Sequence, residues 1–337
     1  MKEMQDIVHE TGLDIDEMLN RKAKRRELLM TFLPFCGLAL TVIILSVVTK
    51  GLLLKPENLV NIMNQCFTTA IVSLGAAFVY AHGGIDFSVG ASCGVAQMVC
   101  IFLVSSKGLP LPIGMLAAIV IGVTCALIVG MASYWLHLQP FVVSLCVRSA
   151  CAGILIAGTN ALGKNIRVPL EIFGIFNNDT VKIITLVILI AITWYLFEKT
   201  SVGKTEKAIG GNRTTTWQSG LPIGRNILYA YLIMGICVGI AAVFQMSRAG
   251  MVTSNSGIGI EFNILIALAL GGFPMSGGAS AKIRSMLVGA LTITFLTNGL
   301  IIAGLAMEYV NIVKGLLFIT VIAVSYDRTN LKQVVFM

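Results

Sequence analysis

Apolar residues recur along this chain in long runs that are separated by short polar or glycine-rich breaks. A helix needs about 20 mostly apolar residues to cross a bilayer. The pattern therefore predicts ten membrane-spanning helices, over residues 28–49, 59–81, 87–106, 113–136, 141–158, 181–197, 227–247, 261–275, 285–305 and 309–325. The eighth run is short and contains two glycines near its end, so we expect a broken or half-crossing segment there. Irregular backbone at that depth must be covered by protein or line a water-filled cavity.

The composition supports a membrane protein. Of the 337 residues, 56% are apolar and only 12% are charged, whereas a soluble domain is about a quarter charged. We predict an all-α integral membrane protein with one transmembrane domain over residues 28–325. Polar tails over residues 1–27 and 326–337 flank it, and a cleavable signal peptide is not expected because the first apolar run is too long for one.

The positive charge is concentrated in a few segments. A basic cluster over residues 21–26 directly precedes the first apolar run, and Lys and Arg are retained on the cytoplasmic side of a membrane. When the N-terminus is placed inside, the cytoplasmic segments hold about twice as many Lys and Arg residues as the outer ones. This topology predicts that both termini and the polar loop 198–226 are cytoplasmic. Because the basic cluster sets orientation, we do not expect nucleic-acid binding.

The cysteines and histidines do not suggest a metal site. All eight cysteines lie within apolar runs and none forms a Cys-x-x-Cys pair, while the three histidines are far apart in sequence. A metal site needs clustered ligands. The sequence therefore predicts no metal, and cysteines that serve as small apolar packing residues.

Two glycine-rich stretches resemble one another. Gly83–Ser92 and Gly271–Ser280 share six of ten positions without gaps, and each follows a span that runs inward in the predicted topology. Transporters are often built from internal repeats, and glycine-interrupted segments at matching places point to the pathway. We predict an internal repeat whose two breaks border the moving part of the protein.

Asp86 and Ser88 allow two interpretations. Both are good N-cap residues for a helix that begins after the glycines, and an acid within a membrane span usually faces the bundle interior. Five amide side chains could bind a hydroxylated solute or join helices across the bundle, namely those of Asn61, Asn64, Gln65, Gln97 and Asn298. The predicted translocation path contains Gly83, Gly84, Asp86, Ser88, Asn61, Gln65, Gly271, Gly272, Ser276 and Asn298.

The stretch from Gly83 to Gly90, Gly-Gly-Ile-Asp-Phe-Ser-Val-Gly, closely resembles the signature of monosaccharide-type permeases, the family of ribose, xylose, arabinose and galactoside importers. Further segments in the same order resemble that family, and the similarity covers roughly residues 28–327. These segments are 139–145, 200–204, 208–212, 219–221, 257–261, 271–278, 298–300 and 314–316. The chain departs from the family at Phe273-Pro274, at Ala279-Ser280 and over residues 213–216, which bears on the solute and on the ATPase contact.

The resemblance implies the permease subunit of a bacterial ATP-binding-cassette importer in the cytoplasmic membrane, surrounded by membrane lipid. Its partners would be an ATPase subunit, which binds the ATP and Mg, a second permease copy or paralogue, and an extracytoplasmic binding protein that delivers a small-molecule solute. The chain itself would hold no cofactor. The 198–226 loop, which is longer than a simple connection requires, would contain the coupling helix. The predicted coupling residues are Ala208, Ile209, Gly210, Gly211, Asn212, Trp217, Ser219 and Gly220.

The chain is not expected to be an enzyme. Gly203-Lys204-Thr205 resembles the end of a phosphate-binding loop, but position 198, where that motif needs glycine, is Glu. Two alternatives stay open at this point. One is a permease of the same architecture for nucleosides, branched-chain amino acids or a signalling furanose, and the other is a stand-alone ion- or proton-coupled transporter. The second needs a ladder of acids along the spans, and only Asp86 lies clearly inside.

Overall fold

A computed structural model describes residue 32 and residues 34–325, so the basic cluster and both predicted tails lie outside the described residues. Within this part, the fold is almost entirely helical. The helices of six or more residues are α1 (Pro34–Val48), α2 (Pro56–Ala81), α3 (Val89–Ser106), α4 (Leu111–Trp135), α5 (Pro140–Leu162), α6 (Asp179–Lys199), α7 (Ser201–Gly211), α8 (Arg213–Gln218), α9 (Ile223–Ala249), α10 (Ile260–Leu270), α11 (Ile283–Ile302) and α12 (Met307–Ser325). Shorter helical turns lie at Leu52–Leu54, Leu170–Phe173 and Gly174–Asn177.

Seven of these helices are long and apolar enough to cross a membrane, namely α2 to α6, α9 and α11. The three other predicted runs coincide with α1, α10 and α12. The predicted eighth span, 261–275, extends beyond the C-terminal end of the observed helix. Helix α10 stops at Leu270, because Gly272 leaves helical geometry with a φ of 68°, a conformation that glycine adopts readily.

Local residues explain several helix boundaries. Proline lies in the first turn of α2, α4 and α5, where its missing N–H is not needed and its fixed φ suits a helix. Gly163 ends α5 and Gly250 ends α9, each with a positive φ, as is common for helix C-termini. Beyond these two glycines the chain forms a two-residue antiparallel pair, Ile166–Arg167 (β1) with Met251–Val252 (β2).

The helices differ sharply in burial. In α2, 83% of the most apolar window is buried within the chain, against 17% in α6. Helix α9 joins α2 at the centre and packs closely on α4 through small residues. A Cβ placed on Gly122 would lie 2.5 Å from the backbone oxygen of Gly235. Close backbone approach through glycine is typical of helix packing in membranes.

Candidate coupling junction and membrane crossing

The end of α2 meets two other segments at a contact we call the glycine junction, formed by Ala81, Gly83, Gly210, Gly277 and Gly278. The amide of Gly278 donates to the carbonyl oxygen of Ala81 at 2.9 Å. A Cβ on Gly277 would lie 2.8 Å from the amide nitrogen of Gly83, and one on Gly210 would lie 2.6 Å from that of Gly278. The three backbones are therefore in direct contact, and no side chain fits between them.

The junction joins segments that lie far apart in the sequence. Gly83 belongs to the first glycine-rich stretch and Gly278 to the second, and a Cβ on Gly83 would lie 3.1 Å from the Ser276 oxygen. Gly210 was predicted as a coupling residue, in the loop between α6 and α9. The two breaks of the proposed repeat thus meet each other, and the end of α7 packs against both.

A second contact at the end of α2 was not foreseen from the sequence. Nδ1 of His82 lies 2.6 Å from Oε2 of Glu206, which is fully buried on α7. The ring of Tyr231 on α9 lies 6.1 Å from the His82 ring, centroid to centroid. The two partners are 124 positions apart in sequence, so no local pattern could have paired them. The contact fixes α7 to the end of α2.

The loop predicted to contain a coupling helix does form a short helix, α8, which follows α7 directly; its contact with an ATPase stays a prediction. Oδ1 of Asn212 accepts a hydrogen bond from the amide of Thr215 at 3.0 Å and caps the helix. After α8, Gly220 turns the chain with a φ of 76°. The side chain of Trp217 is 70% exposed. A cavity of about 320 Å³ beside α8 is lined by Tyr134, Arg213, Thr214, Trp217 and Ile223.

The remaining predicted coupling residues lie within α7 or at the two ends of α8. Ile209 is buried on α7, whereas Ala208, Gly211, Asn212 and Ser219 are exposed, and the Ser219 hydroxyl donates to the Thr215 carbonyl oxygen at 2.9 Å. The predicted set is therefore a continuous segment with a packed side toward α2 and an open side on α8.

Asp86 lies in the non-helical segment between α2 and α3 and is fully buried. Its Oδ1 accepts hydrogen bonds from both the amide and the hydroxyl of Ser88, each at 2.7 Å. Ser88 is the N-cap of α3, but its own side chain makes no capping bond. Asp86 thus orders the turn before the helix. A role at the border of the pathway stays a prediction.

The other predicted path residues do not lie together. Asn61 and Gln65 are near the start of α2, roughly 30 Å along the helix from Gly83 and Gly84, and Asn298 is buried near the end of α11. Gly271 is buried and packs on the backbone oxygen of Ser285, whereas Gly272 and Ser276 are exposed. The structure gathers the glycine-rich part of the predicted path and separates it from the three amides.

Glu261, which follows the glycine-rich turn before α10, forms an ion pair inside the bundle. It is buried at the start of α10, and its Oε1 lies 3.0 Å from Nη2 of Arg148 on α5. A Cβ on Gly90, at the start of α3, would meet the Glu261 carboxylate and would lie 2.5 Å from the Gly257 oxygen. The ion pair and Gly90 hold three elements together at this point.

Glu261 is buried because the chain between α9 and α10 turns back into the bundle. Residues 253–259, which we call the crossing segment, form turns rather than a helix. The backbone of Ser256 packs on Gly94, and that of Gly257 packs on Gly90. The crossing segment therefore lies along α3 and is not an external loop, although its polar residues suggested one.

This arrangement defines a class of protein. A bundle of spanning helices is interrupted by two irregular segments, and a short helix with an exposed tryptophan is connected to one of the interruptions. These are the features of a multi-pass transport permease. The chain belongs to the family of permease components of the branched-chain amino acid transport system, with a match over residues 58–322.

The chain is similar to curated sugar permeases over most of its length. It is 30% identical to the ribose import permease protein RbsC of Bacillus subtilis (strain 168), over 88% of this chain and 92% of that protein. It is 28% identical to the D-allose transport system permease protein AlsC of Escherichia coli (strain K12), over 87% and 90%. It is 27% identical to the galactofuranose transporter permease protein YtfT of the same strain, over 80% of each chain. It is thus a transport subunit.

Proposed function

We propose that this chain is the membrane-spanning permease subunit of an ATP-driven importer that carries a sugar across a bacterial cytoplasmic membrane. The relatives named for ribose, D-allose and galactofuranose support a sugar as the solute. The partners are an ATPase subunit that binds ATP and Mg, a second permease copy or paralogue, and an extracytoplasmic binding protein. Both termini and α8 face the cytoplasm, in keeping with the distribution of Lys and Arg.

The observation that carries this proposal is the continuity from α8 to α2. Trp217 on α8 is open for contact with a partner, and exposed tryptophans are frequent anchors of protein interfaces. Helix α7 precedes α8 directly and is held on the end of α2 by the glycine junction and by the contact between His82 and Glu206. When the ATPase displaces α8, α7 transmits the movement to α2 and to the loop before α11.

The direct test is reconstitution of the permease with its ATPase and binding protein in proteoliposomes. We expect uptake of labelled D-ribose that requires ATP and both partners, and ATP hydrolysis that the loaded binding protein stimulates. Uptake by this chain alone, without nucleotide, would establish the stand-alone transporter instead. ATP-dependent uptake of a branched-chain amino acid but of no sugar would establish the alternative that the family description favours.

A further inference from the structure

The crossing segment ends near the middle of the membrane. Helix α10 has 11 residues, which corresponds to about 16 Å at 1.5 Å per residue. Gly271, just beyond its end, contacts Ser285 near the beginning of the spanning helix α11. Because the hydrocarbon core of a bilayer is about 30 Å thick, the start of α10 lies at about half its depth.

The crossing segment is polar and only partly covered. It contains Thr253, Ser254, Asn255 and Ser256, and Asn255 and Ile258 are exposed. Some of its polar groups bind within the segment, since the amide of Thr253 donates to the Ser256 hydroxyl at 2.9 Å. Non-helical polar backbone at membrane depth occurs only where protein covers it or where it lines a water-filled cavity. The open side of this segment therefore faces a cavity or another chain, not lipid.

The partial exposure of Arg148 independently indicates that the open side of the crossing segment faces water. Its side chain is 35% exposed while its Nη2 contacts Glu261, and a guanidinium carries five N–H donors in all. A charged side chain that faced hydrocarbon would be costly. By contrast, the side chains that the lipid-facing helix α6 exposes along its middle are apolar, namely Ile183, Ile184, Val187, Ile188 and Ile192.

Aromatic rings lie next to the ion pair between Arg148 and Glu261. Phe87 packs edge-on against Phe141, with ring centroids 5.3 Å apart, and against Phe262, at 5.6 Å. Phe141 and Phe262 remain 42% and 47% exposed, and Phe262 directly follows the paired Glu261. Ligand pockets typically combine apolar and aromatic walls with a few oriented polar groups. The C–H face of a sugar ring packs on an aromatic ring, while its hydroxyls bind amide and guanidinium groups.

We propose that Arg148, Asn255, Phe141 and Phe262 form a solute-contact site for a neutral polyhydroxylated ring at mid-depth in the membrane. The charge of Arg148 is compensated by Glu261, so the site offers hydrogen-bond donors without net charge. This favours a neutral sugar over a solute with a carboxylate. The inference rests on the proposed function and specifies which residues of the path contact the sugar.

The test compares variants of the complete importer, with D-ribose as the probe and with D-allose and D-galactose as competitors. We expect Phe262→Ala and Asn255→Ala each to lower uptake of dilute ribose at least tenfold and to change the order in which the competitors inhibit it. ATP hydrolysis without solute should stay within twofold of the wild type. Ile184→Ala, a truncation of an equally exposed side chain on α6, is the control and should change neither quantity.

A conservative pair of variants separates solute contact from folding. Phe262→Tyr keeps the aromatic face and should retain uptake within threefold, whereas Phe262→Leu should lose it although both assemble. Equal uptake by the Tyr and Leu variants, or an unchanged KM and competition order in the Ala variants, would overturn the solute-contact site. Failure of the wild-type importer to take up any sugar would instead overturn the proposed function.

Discussion

The glycine junction and the crossing segment are both interruptions of the helical bundle, yet they are built in opposite ways. At the junction, three backbones touch through Gly210, Gly277 and Gly278, and the adjacent Glu206 is fully buried. The crossing segment has one packed side, on Gly90, and one open side with polar groups. A closed contact transmits displacement because close-packed interiors do not deform gradually. An open polar face at membrane depth can receive a solute.

The largest expected effect on stability tests the buried contact between His82 and Glu206 beside the glycine junction. His82→Ala leaves the buried Glu206 carboxylate without its partner, and breaking one side of a buried pair costs roughly 3 kcal/mol. The measurement is the Tm of the purified permease in detergent. The control is Glu198→Ala, which breaks the more exposed pair between Glu198 and Lys207 on the same part of the chain and should cost less than about 1 kcal/mol. Equal losses in the two variants would show that the contact between His82 and Glu206 is not closed to water.

The next effect tests the proposed contact between α8 and an ATPase subunit. Trp217→Ala removes the most exposed aromatic group of α8, and truncation of such an anchor typically costs about 2 kcal/mol of binding free energy. We expect the affinity for the ATPase subunit to fall roughly 30-fold, as measured by co-purification at graded concentrations. Trp194→Ala, on the spanning helix α6, should leave the affinity unchanged. If both variants bind equally well, α8 is not the ATPase contact.

A smaller effect tests the packed side of the crossing segment. Gly90→Ala would place a methyl group against the Gly257 oxygen and the Glu261 carboxylate, and such overpacking costs about 1–3 kcal/mol. The Tm in detergent should fall, and the matched control is Gly153→Ala on α5, where a Cβ meets no atom within 4 Å. A Tm that is unchanged in Gly90→Ala would contradict the position of the crossing segment against α3.

Structural elements that depend on local hydropathy could be predicted from the sequence. Contacts between segments that are distant in the sequence could not. Apolar runs located the spanning helices, and the long polar loop predicted α8. The contact between His82 and Glu206 has no local signature. The crossing segment was missed because Thr253 to Ser256 are as polar as an external loop. Only the packing of Gly90 and Gly94 against it shows that it is buried on one side.

The central claim is that movement of α8 reaches α2 through the glycine junction, and two adjacent glycines of α7 test it. A Cβ on Gly210 would meet the Ala81 oxygen and the Gly278 amide, whereas a Cβ on Gly211 would meet no atom within 4 Å. The measurement is the number of sugar molecules imported per ATP hydrolysed by the complete importer. We expect Gly210→Ala to lower this ratio at least tenfold and Gly211→Ala to leave it unchanged. An unchanged ratio in Gly210→Ala would contradict the account.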